Sequence, residues 1–467
     1  MWLGRTQHVH FVGIGGIGMS GIAELLINVG YRVTGSDTRS SEITERLATL
    51  GVGIHIGHDA MLVREADVVV VSSAVAADNP EVVAARAERI PVIPRAEMLA
   101  ELMRLRIGIA IAGAHGKTTT TSMVALVLEQ AGLDPTAVIG GRLSAFGSNA
   151  RLGRGQYMVA EADESDRSFL KLSPTHAVIT NIDREHLDAY GSFEALVEAF
   201  RDFADRVPFY GSVVACLDDE AVRERLLPAL GRRVITYGFH PEADVCGLDP
   251  VSDGESATCT VRYAIHGVPA GAGEAVIRLP VPGRHNLQNA LATLAVGLEI
   301  GVPLDLILTA LDAFQGAERR YQRVEAGAIS IVDDYGHHPT EIAAVLTAAR
   351  DGAPDRIVAI FQPHRYSRTR DCLESFGPAL AGADVVVLTD IYPAGESPIA
   401  GISLERLADA IRPHVNELVI VRDIGEVVEA VAGLARAGDL VLTLGAGSIA
   451  AVPARLAARL RAGEVGS

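Results

Sequence analysis

Short apolar runs alternate with longer amphipathic stretches along most of this 467-residue chain. Continuous apolar runs are typical of strands buried on both faces of a parallel sheet, and the stretches between them have the length of crossover helices. Runs of this kind begin at residues 8, 31, 67, 92, 107, 157, 177, 329, 357, 385 and 440. The pattern therefore predicts an α/β protein, in which polar residues gather at the ends of parallel strands.

The first apolar run leads into a glycine-rich turn. Residues 8–12 are predicted as a strand, GIGGIGMSG follows at 13–21, and a helix then runs to Val29. A second strand leads to Ser36 and Asp37, which places an acidic residue about 20 positions after the turn. This arrangement is typical of a Rossmann-type nucleotide site. Taken alone it favours NAD, although such a fingerprint indicates a diphosphate at a helix end more reliably than a nicotinamide.

A second glycine turn contains Lys117, and the only other lysine in the chain is Lys171, although there are 41 basic residues. The turn, GAHGKTTT at 113–120, lies between a predicted buried strand and a predicted helix from Thr118 to Ala131. This context predicts a nucleotide-triphosphate loop, in which Lys117 reaches the outer phosphates and the Thr118 hydroxyl binds magnesium. The standard loop has a further glycine where this chain has Ile111. The alternative is an ordinary strand-to-helix turn with an exposed lysine.

Two further strand ends carry carboxylates and an imidazole. EADESD at 161–166 follows the strand that begins at 157, and DREHLD at 183–188 follows the next strand. Because the carboxyl ends of parallel strands meet at one edge of a sheet, we expect these side chains beside the triphosphate loop, where they can bind a metal ion. The alternative is that the acids are solvated loop residues and His186 is a core or helix-cap histidine.

The last third of the chain repeats this pattern of a strand followed by polar residues. DDYGHHPTE follows the strand that begins at 329, and HRYSRTR follows the one at 357. If the second turn is helical, Arg365 and Arg368 can present two guanidinium groups to one small carboxylate, whereas surface ion pairs are the alternative. The adjacent His337 and His338 are hard to explain by packing. Earlier in the chain, Asn286 opens an apolar helix, where it contacts a base or helps to cap the helix.

Composition narrows the class of partner. A formal net charge of −17 argues against a nucleic-acid surface, so local clusters of charge must hold any anionic substrate. The four cysteines show no paired ligand spacing, which favours reduced thiols. The N-terminus lacks the apolar core of a signal peptide, and no stretch approaches the ~20 apolar residues that span a bilayer. We therefore expect a cytoplasmic protein that acts on small molecules, without nucleic-acid or membrane partners.

The length predicts three domains, because a chain of this size exceeds one hydrophobic core. Boundaries are expected near Arg104 and in GAERRY at 316–321, where glycine and charged residues cluster. The predicted domains are therefore residues 1–104, 105–318 and 319–467.

Taken in order, GIGGIGMSG, GAHGKTTT, EADESD, NIDREHLD, GRHN, ERR, DDYGHHP and HRYSRTR resemble the motifs of the Mur ligases of bacterial cell-wall synthesis. The resemblance spans nearly the whole chain. It implies an N-terminal Rossmann-like domain for a UDP-sugar, a central P-loop ATPase-type domain, and a C-terminal Rossmann-like domain that completes the ATP and amino-acid sites. It also implies an ADP-forming ligase of peptidoglycan synthesis, which couples a carboxylate to an amino acid through an acyl phosphate.

The same resemblance assigns roles to individual residues. It implies catalytic roles for Lys117, Glu161 and His186, and binding of two magnesium ions by Thr118, Glu161 and His186. ATP would be bound by Gly113, His115, Gly116, Lys117, Thr118, Thr119, Asn286, Arg319, Arg320 and Asp334. The UDP-sugar would be bound by Gly15, Gly16, Gly18, Met19, Ser20, Asp37, Ser72 and Ser73. The incoming amino acid would be bound by Tyr335, His337, Arg365 and Arg368.

One absence separates the branches of the family. Branches that add later amino acids resemble one another in a carbamylated lysine downstream of the metal-binding histidine, and this chain has no lysine after His186. The resemblance therefore favours the first-step branch, whose substrates are UDP-N-acetylmuramate, ATP and L-alanine. The alternative within the family is a recycling ligase that attaches a preformed tripeptide to the same sugar. A monomer or weak homodimer is expected.

Two other classes of function remain at this stage. A dinucleotide-binding oxidoreductase or redox sensor would account for residues 8–37 but leaves the triphosphate loop unexplained. A non-enzymatic ATP-driven switch would account for the loop, and it differs from a ligase because a ligase releases phosphate only when both other substrates are present.

Overall fold

The computed structural model describes residues 3–72, 74–143, 148–268 and 271–464. The chain divides into two compact units. The first comprises Met1–Gly247, Val261–Ala275 and Gln288–Leu311, and the second comprises Leu248–Thr260, Val276–Leu287 and Asp312–Ser467.

The first sheet has five parallel strands in the order β3-β2-β1-β4-β5. Its strands are β1 (His8–Val12), β2 (Arg32–Asp37), β3 (Gly53–Ile56), β4 (Val68–Val71) and β5 (Val92–Pro94). Its helices are α1 (Ile17–Asn28), α2 (Glu42–Thr49), α3 (Pro80–Ala87) and α4 (Arg95–Met103). Strands β2 and β3 lie on one side of the central strand β1, and β4 and β5 lie on its other side. The glycine turn after β1 therefore lies at a switch point, where open α/β sheets bind their ligands.

The second sheet has ten strands in the order β15-β14-β13-β12-β11-β10-β6-β9-β7-β8. Its strands are β6 (Ile107–Ala112), β7 (Thr136–Leu143), β8 (Ser148–Arg151), β9 (Tyr157–Glu161), β10 (His176–Ile179), β11 (Ser212–Cys216), β12 (Val234–Gly238), β13 (Val245–Ser252), β14 (Ala257–Ala264) and β15 (Ala272–Leu279). The associated helices are α5 (Lys117–Gln130), α6 (Leu187–Tyr190), α7 (Phe193–Ala204), α8 (Arg284–Glu299) and α9 (Leu304–Asp312). Strand β6 pairs in parallel with β9 on one side and β10 on the other, so the loops after these three strands lie at one edge.

The third sheet has six strands in the order β16-β17-β21-β18-β19-β20. Its strands are β16 (Gln322–Ala326), β17 (Ile329–Asp334), β18 (Arg356–Phe361), β19 (Val385–Leu388), β20 (Glu417–Ile420) and β21 (Asp439–Leu444). Its helices are α10 (Pro339–Asp351), α11 (Tyr366–Asp371), α12 (Leu373–Leu380), α13 (Leu404–Ile411), α14 (Val427–Leu434) and α15 (Val452–Glu464). Only the edge strand β16 is antiparallel to its neighbour among these described pairs.

The apolar runs are strands because both faces of each sheet are covered. In β17, Ile331 and Val332 point to opposite faces, and each lies in a different buried cluster. A strand alternates its side chains between faces, so covering both faces requires apolar residues at successive positions. In the first unit, Phe169 packs between Phe200 and Phe203 in a cluster that also includes strands of the first sheet.

Most of the predicted strands are confirmed. The run at 107–112 is β6 with the predicted bounds, and the helix after it begins at Lys117, one residue before the predicted start. Strand β2 continues to Asp37, so Ser36 and Asp37 belong to the strand. Within the described part of the chain, no helix is both long and apolar enough to cross a membrane.

Candidate active site

The triphosphate loop joins β6 to α5 through two glycines in conformations that other residues rarely adopt. Gly113 has φ of 139° and Gly116 has φ of 81°. A Cβ atom at Gly113 would lie 2.0 Å from Thr180 Oγ1, and one at Gly116 would lie 2.6 Å from Asn289 Oδ1. Both positions therefore require glycine, for the backbone angle and for the close approach of the neighbours.

The loop is braced by the residues that follow β10. Thr180 Oγ1 donates to the carbonyl oxygen of His115 at 2.6 Å. The Asn181 amide accepts from His115 N at 2.8 Å and donates to the same carbonyl at 3.0 Å. The His115 ring also lies 2.9 Å from Asp183 Oδ2. Sequence reasoning did not assign roles to Thr180, Asn181 and Asp183, although their place at a strand end beside the loop was the available signal.

Lys117 is turned towards the loop and the carboxylates. Its ammonium donates to Gly113 O at 2.6 Å and to Glu164 Oε1 at 2.8 Å, and the side chain is 14% exposed. Burial alone would lower the pKa of Lys117, but Glu164 and Glu161 together raise it above the ordinary value of a lysine. The lysine therefore carries its charge throughout the neutral range.

Two of the predicted metal ligands are in direct contact. Thr118 lies in the first turn of α5, and its hydroxyl donates to Glu161 Oε2 at 2.9 Å at the end of β9. Thr118 and Thr119 are both buried. The contact brings one hydroxyl and one carboxylate together at the mouth of the loop, which is an oxygen pair suited to magnesium.

His186, the third predicted metal ligand, is grouped with Glu164 and Glu185. Its Nε2 atom lies 4.0 Å from Glu164 Oε1 and 3.8 Å from Glu185 Oε2, and one ligand atom from each residue lies within 4.8 Å of the others. His186 has φ of 55°, an angle that residues other than glycine rarely adopt. Sequence reasoning gave no individual role to Glu164 and Glu185, although both lie in the acidic segments that it singled out as a candidate metal site.

Glu164 is the most deeply buried acid of this cluster. It is 3% exposed, and its Oε2 atom has no hydrogen-bond partner among the described residues. Burial raises the pKa of Glu164 to about 7, and the attraction of Lys117 only partly opposes this. A buried carboxylate oxygen without a donor is costly, so the cluster is suited to a cation.

The glycine turn after β1 is held by the end of β2. The N–H groups of Gly13 and Ile14 donate to Ser36 O at 2.9 and 3.0 Å. Gly15 N donates to Asp37 Oδ2 at 2.8 Å. Asp37 was predicted to line the UDP-sugar pocket, and here its carboxylate fixes the turn itself.

The next part of the turn lies against an arginine that sequence reasoning missed. Gly16 caps α1, and a Cβ atom at Gly18 would lie 2.2 Å from Nη1 of Arg95. Arg95 follows the carboxyl end of β5, and its guanidinium also lies 3.5 Å from Asp163. Gly18 therefore makes room for a cation on the first turn of α1. No acidic residue lies in that turn, which leaves the helix end and Arg95 suited to an anion.

Four further residues were predicted to bind the UDP-sugar around this turn, namely Met19, Ser20, Ser72 and Ser73. The Met19 side chain is 2% exposed in the core, and its N–H donates to Gly16 O, so the structure gives it a packing role. Ser20 is also buried. Ser72 follows β4, and its N–H donates to Val12 O at 3.2 Å. Ser73 lies outside the described residues.

In the second unit, the two predicted arginines already have carboxylate partners. Arg319 Nε donates to Asp333 Oδ2 at 2.8 Å, and Arg319 Nη2 donates to Gly445 O at 2.7 Å. Arg320 lies 3.4 Å from Glu341. Arg319 has φ of 56°, so a strained backbone and two partners fix its position.

Asp334 and Asn286 are both buried in the second unit. Asp334 accepts from Tyr321 N at 2.8 Å and from Gly336 N at 2.7 Å, and burial raises its pKa to about 6. Asn286 donates to Pro282 O at 2.7 Å near the start of α8. That bond ties Asn286 to the segment before the helix, but it does not cap α8, because the Asn286 amide donates in it, and the base contact of Asn286 stays a prediction.

The residues predicted for the amino acid are brought together in the second unit. The His337 ring lies 5.3 Å from that of Tyr335 and 5.5 Å from that of His364. Arg368 Nη1 lies 3.2 Å from His364 Nδ1. Arg368 belongs to helix α11, whereas Arg365 is its non-helical cap residue with φ of 71°. Burial lowers the pKa of His364 to about 3, which leaves a neutral ring between charged arginines. Sequence reasoning quoted His364 without assigning it a role.

Three family models cover most of the chain in sequence order. The Mur ligase family catalytic domain matches residues 8–106, the Mur ligase middle domain matches 111–297, and the Mur ligase glutamate ligase domain matches 319–447. The chain belongs to the Mur ligase family. This membership and the three α/β sheets confirm the predicted family and fold class, whereas the domain boundaries stay predictions.

Individual relatives match the chain from end to end. The UDP-N-acetylmuramate--L-alanine ligase of Geotalea daltonii is 52% identical over 98% of this chain and 99% of that protein. The ligase of the same name from Anaeromyxobacter sp. is 54% identical over the same shares. The crystal structure of UDP-N-acetylmuramate-alanine ligase from Thermotoga maritima superposes with a TM-score of 0.81 at 31% identity, covering 98% of this chain and 99% of that one.

Proposed function

We propose that this chain is an ATP-dependent ligase that joins L-alanine to the carboxylate of UDP-N-acetylmuramate. The observation that carries the proposal is the end-to-end match, at 52–54% identity, to relatives that bear this activity in their names. The braced triphosphate loop with its lysine and carboxylates supports the use of ATP. Neither the oxidoreductase nor the recycling ligase gains support from these relatives.

ATP binding is assigned to the loop between β6 and α5. Its N–H groups and the positive end of α5 favour the phosphates, and the two glycines let the backbone approach them closely. The Lys117 ammonium is held at this loop by Gly113 O and Glu164. We assign it to the outer phosphates, where a fixed positive charge offsets the charge that develops during phosphoryl transfer.

Magnesium binding is assigned to the carboxylate clusters. The contact between Thr118 and Glu161 fits one ion, and the group of Glu164, Glu185 and His186 fits a second. The buried Glu164 oxygen without a donor is the feature of this structure that a cation would satisfy. Bound magnesium supplies neutralisation of phosphate charge and polarisation of the transferred group.

The UDP-sugar is assigned to the first sheet. Its diphosphate fits the start of α1, where Ser36 and Asp37 fix the glycine turn and Arg95 adds a guanidinium. The Arg95 guanidinium and the N-terminus of α1 are both positive and do not stabilise each other. An anion bound between them would be stabilised by both. The ion pair between Arg95 and Asp163 connects this site to the carboxylate segment after β9.

The proposed reaction has two steps. An oxygen of the muramate carboxylate attacks the γ-phosphorus of ATP, and the bond to the β-phosphate oxygen breaks to release ADP. The neutral amine of alanine then attacks the acyl phosphate, its nitrogen loses one proton, and the tetrahedral oxyanion collapses to the amide with loss of phosphate. We assign the alanine carboxylate to Arg365 and Arg368, because both act electrostatically on His364 and a pair of guanidinium groups is suited to one carboxylate.

The test is a product measurement. The protein is incubated with ATP, magnesium, UDP-N-acetylmuramate and a mixture of amino acids, and the nucleotide-sugar product is weighed by mass spectrometry. The expected product carries one added alanine residue, and phosphate is released only when both the UDP-sugar and an amino acid are present. Phosphate release from ATP alone at the same rate contradicts the proposal. A parallel incubation replaces the amino acids by the tripeptide, and a product formed only there supports the recycling ligase instead.

A further inference from the structure

A buried polar network crosses the first sheet beneath its ligand edge, and no step of the proposed reaction uses it. Glu81, the second residue of α3, is 0% exposed. Its carboxylate is within hydrogen-bond distance of three groups from other elements. These are His10 Nε2 at 2.7 Å, the Ser36 hydroxyl at 2.9 Å and His58 Nδ1 at 2.7 Å. Three donors around one buried acid make its ionised form the favoured one.

The network continues away from the ligand edge to His8. His10 Nδ1 lies 2.7 Å from Thr34 Oγ1, and the same hydroxyl lies 2.8 Å from His8 Nε2. The other nitrogen of His8 lies 2.7 Å from Glu65 O, which can only accept, so this nitrogen carries a proton. Burial lowers the pKa of His8, so its ring is neutral and Nε2 accepts from Thr34.

His10 connects the two ends of this network. The single Thr34 proton is directed to His8, so the Thr34 oxygen accepts from His10 Nδ1, and the other ring nitrogen of His10 is paired with the Glu81 carboxylate. Burial raises the pKa of Glu81, but the bonds from His10, Ser36 and His58 outweigh this and lower it overall. These three bonds hold the buried carboxylate in one position.

The groups that Glu81 holds surround the glycine turn. Ser36 is itself fully buried and cannot touch a ligand, but its carbonyl oxygen holds the N–H groups of Gly13 and Ile14. His58 lies two residues beyond the end of β3, at the same carboxyl edge of the parallel sheet. One carboxylate on α3 therefore links the ends of β2 and β3 to the turn that follows β1.

We propose that Glu81 is a positioning residue for the sugar nucleotide, which acts through Ser36 and His58 to hold the glycine turn in its binding geometry. This inference rests on the proposed function, because it concerns the UDP-sugar site. Binding energy at a diphosphate depends on N–H groups that are already aimed before the ligand arrives. A turn that loses one of its supports must be reordered by the ligand, and affinity falls accordingly.

The experiment measures the two ligands separately on the full-length protein. UDP-N-acetylmuramate and a non-hydrolysable ATP analogue are titrated by calorimetry into the wild type, Glu81→Gln and Ser36→Ala. Glu81→Gln replaces an acceptor by an amide whose NH₂ group faces donors, and we expect Kd for the UDP-sugar to rise about tenfold, as for a lost bond to a charged acceptor. Ser36→Ala removes one hydroxyl and should raise Kd for the UDP-sugar roughly threefold. In turnover the change appears in KM for the UDP-sugar, with kcat and KM for ATP unchanged.

His8→Gln is the matched control, because it disturbs the same network at the end far from the ligand edge. We expect it to lower Tm while both Kd values stay at the wild-type level. Unchanged UDP-sugar affinity in Glu81→Gln and Ser36→Ala, with a lower Tm, overturns the inference and makes the network purely structural. If Glu81→Gln does not fold, Ser36→Ala decides alone. A wild type that binds ATP but not UDP-N-acetylmuramate overturns the proposed function as well, so the two failures are distinct.

Discussion

Replacing Lys117 by methionine removes the charge at the triphosphate loop while keeping much of the side-chain volume. In the structure this ammonium contacts Gly113 O and Glu164, and the Lys117 side chain is 14% exposed, so water cannot substitute for the charge fully. We expect kcat for phosphate release to fall at least ~10³-fold, the scale of losing one preorganised group that stabilises transition-state charge. This corresponds to about 4 kcal/mol of activation free energy.

The same substitution leaves Glu164 without its partner. A buried carboxylate that stayed ionised would cost about 3–5 kcal/mol of stability. Burial raises the pKa of Glu164 to about 7, so this acid can take up a proton once the ammonium is gone. The cost should therefore fall to about 1–3 kcal/mol, that of an unsatisfied neutral group. The double variant Lys117→Met/Glu164→Gln should regain part of this stability without regaining turnover.

The assay couples phosphate release to product mass, with Tm and UDP-sugar affinity measured on the same samples. Lys171→Met is the control, since Lys171 is the only other lysine in the chain and forms a half-exposed ion pair with Glu97. It should have wild-type turnover. Lys117 belongs to the loop after β6, whereas the UDP-sugar is assigned to the first sheet. The affinity of Lys117→Met for the UDP-sugar should therefore equal that of the wild type. Turnover within tenfold of the wild type, or equal loss of affinity for ATP and UDP-sugar, refutes the reasoning.

Three further changes probe the surrounding structure. Gly18→Ala places a methyl group 2.2 Å from the Arg95 guanidinium and should raise KM for the UDP-sugar about tenfold. Gly231→Ala is the control, because its methyl group meets open space, and it should leave this KM unchanged. Equal KM values in the two variants would show that Arg95 does not contact the UDP-sugar. Glu161→Gln should raise the magnesium concentration needed for half-maximal turnover about tenfold or more, and an unchanged requirement would remove Glu161 from the metal site. Burial lowers the pKa of His176 from 6.5 to about 4. As the pH falls below 6.5, the unfolded chain therefore binds a proton at His176 that the folded chain does not bind, and the folded state loses stability. Between pH 7 and 5 this loss amounts to about 2 kcal/mol, which His176→Gln should remove in urea unfolding measured at the two pH values.

The order of elements and the place of the triphosphate loop could be predicted from the sequence because both depend on local pattern. The apolar run at 107–112, the two glycines and Lys117 occur within a dozen residues, and such a segment leaves few other conformations. The contact between Thr118 and Glu161 also followed from topology, since parallel strands present their carboxyl ends at one edge.

The residues that sequence reasoning missed act across long separations along the chain. Glu164 meets Lys117 from 47 positions away, and Thr180 braces the carbonyl of His115 from 65 positions away. Their residue types are common, and only their burial and distance give them a role. Gly18 was assigned to the diphosphate from its motif, whereas the structure shows that its missing side chain makes room for Arg95.

By itself the sequence determined the parallel α/β architecture, the family and the segments that carry polar groups. The reason is that hydrophobic period and glycine spacing depend only on residues that are close together along the chain. Only the tertiary structure decided which acid lies nearest to Lys117, which carboxylate holds the glycine turn, and that His10, Ser36 and His58 meet at Glu81. These outcomes depend on strand order and on the exclusion of water from a few side chains. Both are properties of the packed chain as a whole.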